Sequence, residues 1–361
     1  MTDVRATPTP PLAPPVQASA GSAPPAAAAA RARAPYGRRT GAELGQVRLD
    51  APTPTYYGLP AVKRSPYRWL IISYFFVGGL AGAAQLIATV FDRAGTRRDR
   101  PVVRCGRYVA LVGSLIAPLL LIKDLHTPSR WYNMLRIFRP TSPMSFGSWT
   151  LAGFGALSGL VAMAQALDDL GARRAGRVAT LAGVPAAGLG MLMSVYTGVL
   201  LSATSTPLWS VAYRQLPALF GATAFASASA ALSLILTIVR APRAPLERLD
   251  RLALAGAAAQ LALALSADRT WKARGVAGPL EAADIRPFHR LVVLGLGIVA
   301  PLLVHGAQLL TRRRSRSMAS LAAAATLAGA YAERAVIVFA GNRSADRAED
   351  YFTTASPGGG A

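Results

Sequence analysis

The chain has 361 residues, of which 52% are hydrophobic and only 16% are charged, whereas an average soluble domain carries roughly 25% charged residues. This composition indicates that a lipid bilayer, rather than water, surrounds most of the chain. The net charge is +22, but the arginines lie in short stretches between apolar segments and form no continuous basic surface. We therefore expect no nucleic acid among the partners of this protein.

Residues 1–55 have low sequence complexity, with three Pro-Pro pairs and an alanine run at 26–30. A segment of this composition cannot bury a hydrophobic core, so we expect a disordered tail rich in proline and alanine. Prolines interrupt its apolar residues, and it therefore does not resemble a cleavable signal peptide. At the other end of the chain, residues 343–361 are expected to form a second, short tail.

Eight apolar segments follow residue 68, each near the ~20 residues that a helix needs to span a bilayer. We expect every segment to be helical, because backbone polar groups in lipid must be paired within the segment. They cover residues 69–91, 105–123, 147–167, 178–200, 212–239, 249–267, 288–310 and 318–341. In the first of them, Gly78 and Gly82 form a GxxxG pair that lets another helix approach closely. The sequence therefore predicts an all-α membrane protein with about eight transmembrane helices.

The loops between these segments differ in charge. The four odd-numbered loops carry 15 arginines, whereas the three longer even-numbered loops carry 7 arginines and lysines. Positive charge is retained on the cytoplasmic side of a membrane, so this excess places the odd-numbered loops in the cytoplasm and both termini outside. The basic residues Lys63, Arg64 and Arg68, beside the first segment, oppose this orientation.

Metal-ligating residues are scarce. Cys105 is the single cysteine, and an iron–sulfur cluster needs several thiolates. His289 and His305 lie 16 residues apart on one predicted helix, roughly 24 Å at 1.5 Å per residue, so they do not face each other as two haem ligands would. We expect no haem, no iron–sulfur cluster and no other metal in this chain.

Polar and aromatic motifs gather at the even-numbered loops. The stretches are DLHTPSR at 124–130, PTSPMSFGSW at 140–149 and YTGVLLSATSTPLW at 196–209. With YFFVGGLAGA at 74–83 and ERAVIVFAG at 333–341, they resemble the NrfD/polysulfide-reductase family of quinone-linked membrane subunits. The resemblance covers about residues 56–342, and PTSPMS-x-GSW is its most specific element.

This resemblance implies eight helices in two four-helix bundles, without haem or clusters of their own. It also implies electron exchange between a membrane quinone, menaquinone or ubiquinone, and a peripheral subunit. The expected partners are a 4Fe-4S ferredoxin-like subunit and a molybdopterin oxidoreductase subunit. The expected location is the bacterial inner (plasma) membrane, and the chain would be a quinone-reactive subunit of a respiratory oxidoreductase complex that is not catalytic alone.

The resemblance also assigns a quinone site. Tyr196 matches a family tyrosine that contacts the quinone carbonyl, and Tyr74 falls where some members have a histidine. Tyrosine can orient a carbonyl but relays protons less readily than histidine. Ile71 replaces a polar partner of that histidine. The remaining residues expected at this site are Asp124, His126 and Arg130.

Reduction of a quinone takes up two protons, so an acid–base group must connect the site to water. Asp124 is the candidate, because acids at a membrane boundary are rare; the alternative is a helix-end charge paired with Lys123 or Arg130. His126, in the adjacent loop, could supply a second titratable group. Glu333 and Arg334 lie inside the eighth segment, where the sequence allows either an internal ion pair or a proton route.

The even-numbered loops and the segment at 56–68 are expected to form a docking surface for the partner. Its predicted members are Tyr56, Tyr57, Pro140, Ser142, Ser145 and Trp209. For Trp209 the alternative is a place in the aromatic belt at the membrane interface.

Two other functions stay open from the sequence. A secondary transporter would show internal repeats and helices broken near the midplane, but the two halves share no clear repeat and the polar motifs gather at one face. A membrane anchor without a working quinone site would explain the departures at Tyr74 and Ile71.

Overall fold

The computed structural model describes residues 62–355, and every regular element in this range is helical. Eight helices are long and apolar enough to cross a membrane. They are α1 Trp69–Ala94, α2 Arg97–Asp124, α3 Pro143–Asp169, α4 Arg173–Ser202, α5 Gln215–Ile238, α6 Arg243–Ala273, α7 Arg286–Thr311 and α8 Arg316–Asp346. All eight predicted segments, including the alanine-rich sixth and eighth, are therefore confirmed as helices of an all-α membrane protein.

The ends of the chain are only partly described. The tail predicted at 1–55 lies outside the described residues, as do Tyr56 and Tyr57. At the other end, α8 continues to Asp346, and a further short helix, α9, covers Ala348–Ala355. The boundary predicted at residue 343 therefore falls inside a helix.

The helices form the two expected four-helix bundles. In the first, α1 packs against α2 and α4, and α3 packs against α2 and α4; in the second, α8 packs against α5 and α7, and α6 packs against α5 and α7. The bundles meet at a seam where α5 contacts both α1 and α4, and α8 contacts α1. Accordingly α1, α5 and α8 are the most deeply buried of the eight.

Close helix packing explains the glycines of α1. The backbone of Gly82 lies directly against that of Gly190 on α4, so that a Cβ atom built at Gly190 would approach the Gly82 carbonyl oxygen to 2.6 Å. One turn away, the Ser194 hydroxyl donates to the Gly79 carbonyl oxygen at 3.2 Å. The GxxxG pair of α1 is therefore a contact surface for α4.

Buried arginines close both bundles at the face of the odd-numbered loops. Arg107 on α2 donates to Gln165 on α3 at 2.6 Å and to Asp92 on α1 at 2.7 Å. In the second bundle, Arg314 donates to Asp250 on α6 at 2.5 Å. Removing one partner of such a buried pair costs about 3–5 kcal/mol, because the other charge is left unpaired.

The contact between α1 and α4 predicts that alanine substitutions at two glycines of α4 have different effects on stability. We expect Gly190→Ala to lower the free energy of unfolding by about 1–3 kcal/mol, because the new methyl group overlaps the α1 backbone. Gly188→Ala is the matched control, since nothing lies within 4 Å of a Cβ atom at this position. Thermal unfolding of the purified protein in detergent measures both; equal stability of the two variants would contradict this packing.

Candidate functional site

Three tyrosine hydroxyls lie together at one end of the first bundle, on the face where α1 begins and α2 ends. Tyr74 belongs to α1, Tyr196 to α4, and Tyr67 to the segment before α1. All three pairs are close enough to interact electrostatically. We call these residues the tyrosine cluster; it brings together the two tyrosines that the sequence assigned to the quinone site.

Two hydroxyl groups at this site have no partner among residues 62–355. Tyr74 is only 3% exposed, and its hydroxyl makes no hydrogen bond with these residues. Thr197 lies one turn beyond Ser194 on the side of α4 that faces α1, and its buried Oγ1 is also unpaired. Leaving the buried Thr197 hydroxyl unpaired costs about 1–3 kcal/mol, so the site has hydrogen-bonding capacity that a ligand or water can use.

The Tyr196 hydroxyl, by contrast, is engaged within the protein. It donates to the Pro143 carbonyl oxygen at 2.7 Å. Its ring covers Gly147, where any Cβ atom would collide with it. Pro143 and Gly147 both belong to the PTSPMSFGSW motif, so Tyr196 fixes the start of α3 against α4.

Acid–base groups lie beside the cluster. Asp124 is half-buried at the end of α2 and interacts electrostatically with His126, Arg68 and Tyr67. Burial, and then the Asp124 carboxylate, raise the pKa of Tyr67 above its usual value. Arg130 is exposed, and its side chain makes no ion pair with the residues that the structure describes. The structure therefore brings Asp124 and His126 to the site but not Arg130.

Tyr67 is a member of the site that sequence reasoning missed. Its ring stacks on Trp209 at a centroid distance of 6.2 Å and meets Phe75 edge-on at 5.9 Å. The sequence marked only the segment at 56–68 as unusual. The one sequence feature that could have identified Tyr67 is the presence of an aromatic residue just before a membrane helix. This feature fits an interfacial anchor equally well.

Trp209 requires a correction. It is fully buried, and its indole Nε1 donates to the Ile337 carbonyl oxygen at 2.8 Å while its ring packs on Gly341 of α8. It therefore belongs neither to an exposed docking surface nor to an aromatic belt. A tryptophan near a helix end suggests either role in sequence, but here the short helix Pro207–Val211 turns the side chain inward.

The other predicted docking residues that the structure describes lie in the loop between α2 and α3 and in the first turn of α3. Pro140 is exposed, whereas Ser142 and Ser145 are half-buried. The Ser142 hydroxyl caps α3 by accepting from the Ser145 backbone nitrogen, and the Ser145 hydroxyl donates to the Ile137 carbonyl oxygen at 3.2 Å. Both serines thus shape the loop through internal hydrogen bonds.

The segment before α1 is fastened to the end of α8. Arg64 pairs with Asp346 at 2.5 Å. The backbone nitrogen and hydroxyl of Ser65 donate to Asn342 at 3.1 and 2.8 Å. These contacts hold residues 64–67 over the junction of the two bundles, beside the tyrosine cluster.

Glu333 and Arg334 are both buried in the second bundle. Glu333 accepts from Thr223 of α5 at 2.9 Å and from Gln260 of α6 at 2.5 Å, and lies 3.4 Å from Arg334. Arg334 donates to the Phe220 carbonyl oxygen at 2.9 Å and stacks over the Phe220 ring at 3.7 Å. The two charges therefore form an internal ion pair with further partners. Within residues 62–355, histidines, cysteines and acids form no group of three that could hold a metal.

A sequence model of the polysulphide reductase family NrfD matches residues 60–344, which is most of the chain. The chain therefore belongs to the NrfD family. Members of this family are generally quinone-interacting subunits of oxidoreductase complexes and typically partner with iron–sulfur and molybdoenzyme subunits. A comparison with curated proteins finds no match to this chain.

The burial of Trp209 predicts a structural cost. We expect Trp209→Phe to lower the free energy of unfolding by about 2–3 kcal/mol, because the bond to Ile337 is lost and a cavity forms beside Gly341. Trp149→Phe is the control, since Trp149 is exposed and should change stability by less than about 0.5 kcal/mol. Denaturation of the two variants in detergent measures their free energies of unfolding. A cost at Trp149 as large as at Trp209 would argue against this assignment.

Proposed function

We propose that this chain is the quinone-reactive membrane subunit of an oxidoreductase complex, exchanging electrons between a membrane quinone and a peripheral iron–sulfur subunit. It belongs to a family whose members generally interact with quinones. The observation that carries the proposal is the tyrosine cluster at the end of the first bundle, where the Tyr74 hydroxyl makes no hydrogen bond with residues 62–355 and the buried Thr197 hydroxyl has no partner among them.

The residues of this site fit a quinone headgroup. A quinone presents two carbonyl oxygens that accept hydrogen bonds and an apolar body that suits a cleft between helices. Tyr74 can donate, because its hydroxyl makes no hydrogen bond within the described part of the chain, whereas the hydrogen of Tyr196 is donated to Pro143. We therefore assign the donor role to Tyr74 and a positioning role to Tyr196. Menaquinone and ubiquinone both present these carbonyls.

A bound quinone supplies two-electron, two-proton chemistry. The side chains that would exchange protons with water lie on the same face as the cluster. Asp124 is half-buried and close to Tyr67, and His126 is exposed beside it, so together they connect the cluster to the aqueous phase. We assign proton handling for this site to Asp124 and His126.

The partner would dock on the face formed by residues 62–68, the loop between α2 and α3, and the loop after α4. This face shows exposed aromatic side chains at Trp131, Tyr132 and Phe138. A 4Fe-4S subunit carrying a molybdopterin enzyme is the partner that the family suggests. We propose that this face lies outside the cytoplasm of a bacterial cell, with both termini outside and the chain in the inner membrane, because the arginine excess in the odd-numbered loops favours this orientation.

The donor role of Tyr74 is tested by one substitution. We expect Tyr74→Phe to weaken quinone binding about five- to tenfold, which corresponds to one hydrogen bond of ~1–1.4 kcal/mol, without loss of stability. Tyr213→Phe is the control, because Tyr213 is exposed. The measurement is binding of menaquinone and ubiquinone analogues to the purified protein. Partner co-purification without any quinone binding would favour a bare anchor, and absence of both would favour a transporter.

The docking face is tested by two deletions. Removing residues 1–50 should leave complex assembly intact. Removing residues 51–68 should abolish it, because the segment that bonds to Asp346 and Asn342 beside the cluster is lost. Co-purification of the iron–sulfur subunit with the tagged chain measures both. Normal assembly after the second deletion would rule out this face.

A further inference from the structure

The second bundle contains polar side chains at three levels between its two ends, although the tyrosine cluster lies in the first. His289 stands near the start of α7, Glu333 in the middle of α8, and His305 near the end of α7. Of these three residues, only Glu333 has contacts that a structural role explains, through its ion pair with Arg334. The groups at the other two levels point to water inside this bundle.

A cavity of about 20 Å³ joins the first two levels. Its lining comes from α5, α6, α7 and α8 and from Leu280 between α6 and α7. The polar groups in this lining are Glu333, His289 and the Trp271 indole nitrogen, which already donates to the Leu208 carbonyl oxygen. This volume has room for one water molecule. His289 is half-buried and interacts electrostatically with Asp268 and Glu281, two acids near the membrane surface. The cavity thus extends from a surface histidine to a buried acid.

The backbone of α7 is unusual beside this cavity. Residues His289–Val299 form a π-helix, and Val293 and Ile298 of this segment line the cavity. π-helical segments are rare, and they occur frequently at functional sites. In this protein the π-helical turns of α7, which are wider than α-helical turns, lie beside the cavity between His289 and Glu333.

When Glu333 changes charge, Arg334 keeps contacts that do not involve the acid. The contact between the two is long, at 3.4 Å, whereas Arg334 also holds the Phe220 carbonyl oxygen at 2.9 Å and the Phe220 ring at 3.7 Å. Arg334 therefore keeps two partners when Glu333 is neutral. Thr223 and Gln260 remain in hydrogen-bond reach of the acid in either state.

Hydroxyl groups on α5 lead from Glu333 toward the opposite face. Thr223 contacts Glu333, and the Ser227 hydroxyl donates to the Thr223 carbonyl oxygen at 2.6 Å. Ser233, six residues further and roughly 9 Å along the helix, donates to Asp250 at 2.9 Å. Thr223 and Ser227 lie on one side of α5 and Ser233 lies about 120° further round the helix, so these hydroxyls occur at intervals between the buried acid and the basic face.

His305 is the strongest sign of water at that face. It is 4% exposed, and neither ring nitrogen has a hydrogen-bond partner among the described residues. It interacts electrostatically with Asp250 and Arg314, and the Arg314 Nη1 is also buried and unpaired. Leaving three such atoms dry would cost several kcal/mol, about 1–3 for each. Bound water removes this cost.

We propose that the second bundle holds a water-mediated proton route that crosses the membrane. A proton enters at His289, passes through cavity water to the Glu333 carboxylate, and leaves along Thr223 and Ser227 to His305 and Asp250. Only protons move, so the balance needs no oxidant or reductant. The route belongs to this chain alone and does not depend on quinone binding.

The test uses the purified chain in liposomes that contain a pH-sensitive dye and carry a potassium diffusion potential. We expect proton flux above that of protein-free liposomes, and we expect Glu333→Gln to lower it at least about tenfold, since a neutral amide cannot accept the proton. Glu247→Gln, at an exposed position of α6, is the matched control and should conduct like the unmodified chain.

His305→Leu separates the route from a structural role. If His305 only fills space, replacing an unpaired buried imidazole with leucine should preserve or raise stability and leave proton flux unchanged. The route predicts preserved stability with a flux lowered about tenfold. Flux no greater than that of protein-free liposomes, or unchanged flux in both Glu333→Gln and His305→Leu, would overturn the proposal.

Discussion

The hydrocarbon of a bilayer offers no hydrogen bonds, so every polar side chain within the membrane-spanning part of the eight helices must find a partner in the protein or in water. Most do: Ser194 bonds across to α1, Arg107 bonds to two other helices, and Arg334 bonds to the α5 backbone. Against this background the unpaired groups stand out. The Thr197 hydroxyl and the ring nitrogens of His305 are buried without a partner among residues 62–355, and the Tyr74 hydroxyl makes no hydrogen bond with these residues, so these groups are candidate ligand and water contacts.

The same constraint gives the two ends of the molecule different characters. At the face of the odd-numbered loops, Arg107 and Arg314 draw neighbouring helices together around buried carboxylates. At the opposite face, polar residues shape loops and cap helices, as Ser142 does at the start of α3. That second end holds the tyrosine cluster, His126 and the segment fastened to Asp346. One end thus serves packing, and the other is available for recognition.

The sequence predicted the helices well because hydrophobic length is a strong, local signal. It also predicted that Tyr74 and Tyr196 share a site. What it could not predict depends on contacts between distant residues: the bond from Tyr196 to Pro143, the stacking of Tyr67 on Trp209, and the inward turn of Trp209 itself. An aromatic residue at a helix end has the same sequence pattern whether it faces lipid or the core.

At the buried positions, these contacts need arginine rather than lysine. All but three of the 39 basic residues are arginine. Arg107 uses its two terminal nitrogens for partners on different helices, and Arg334 combines a hydrogen bond with stacking on Phe220. A lysine ammonium is a compact point charge without a planar face and with fewer donors, so it could not replace either contact set. In a bundle where each buried charge must be satisfied in several directions at once, the planar guanidinium is the side chain that can do so.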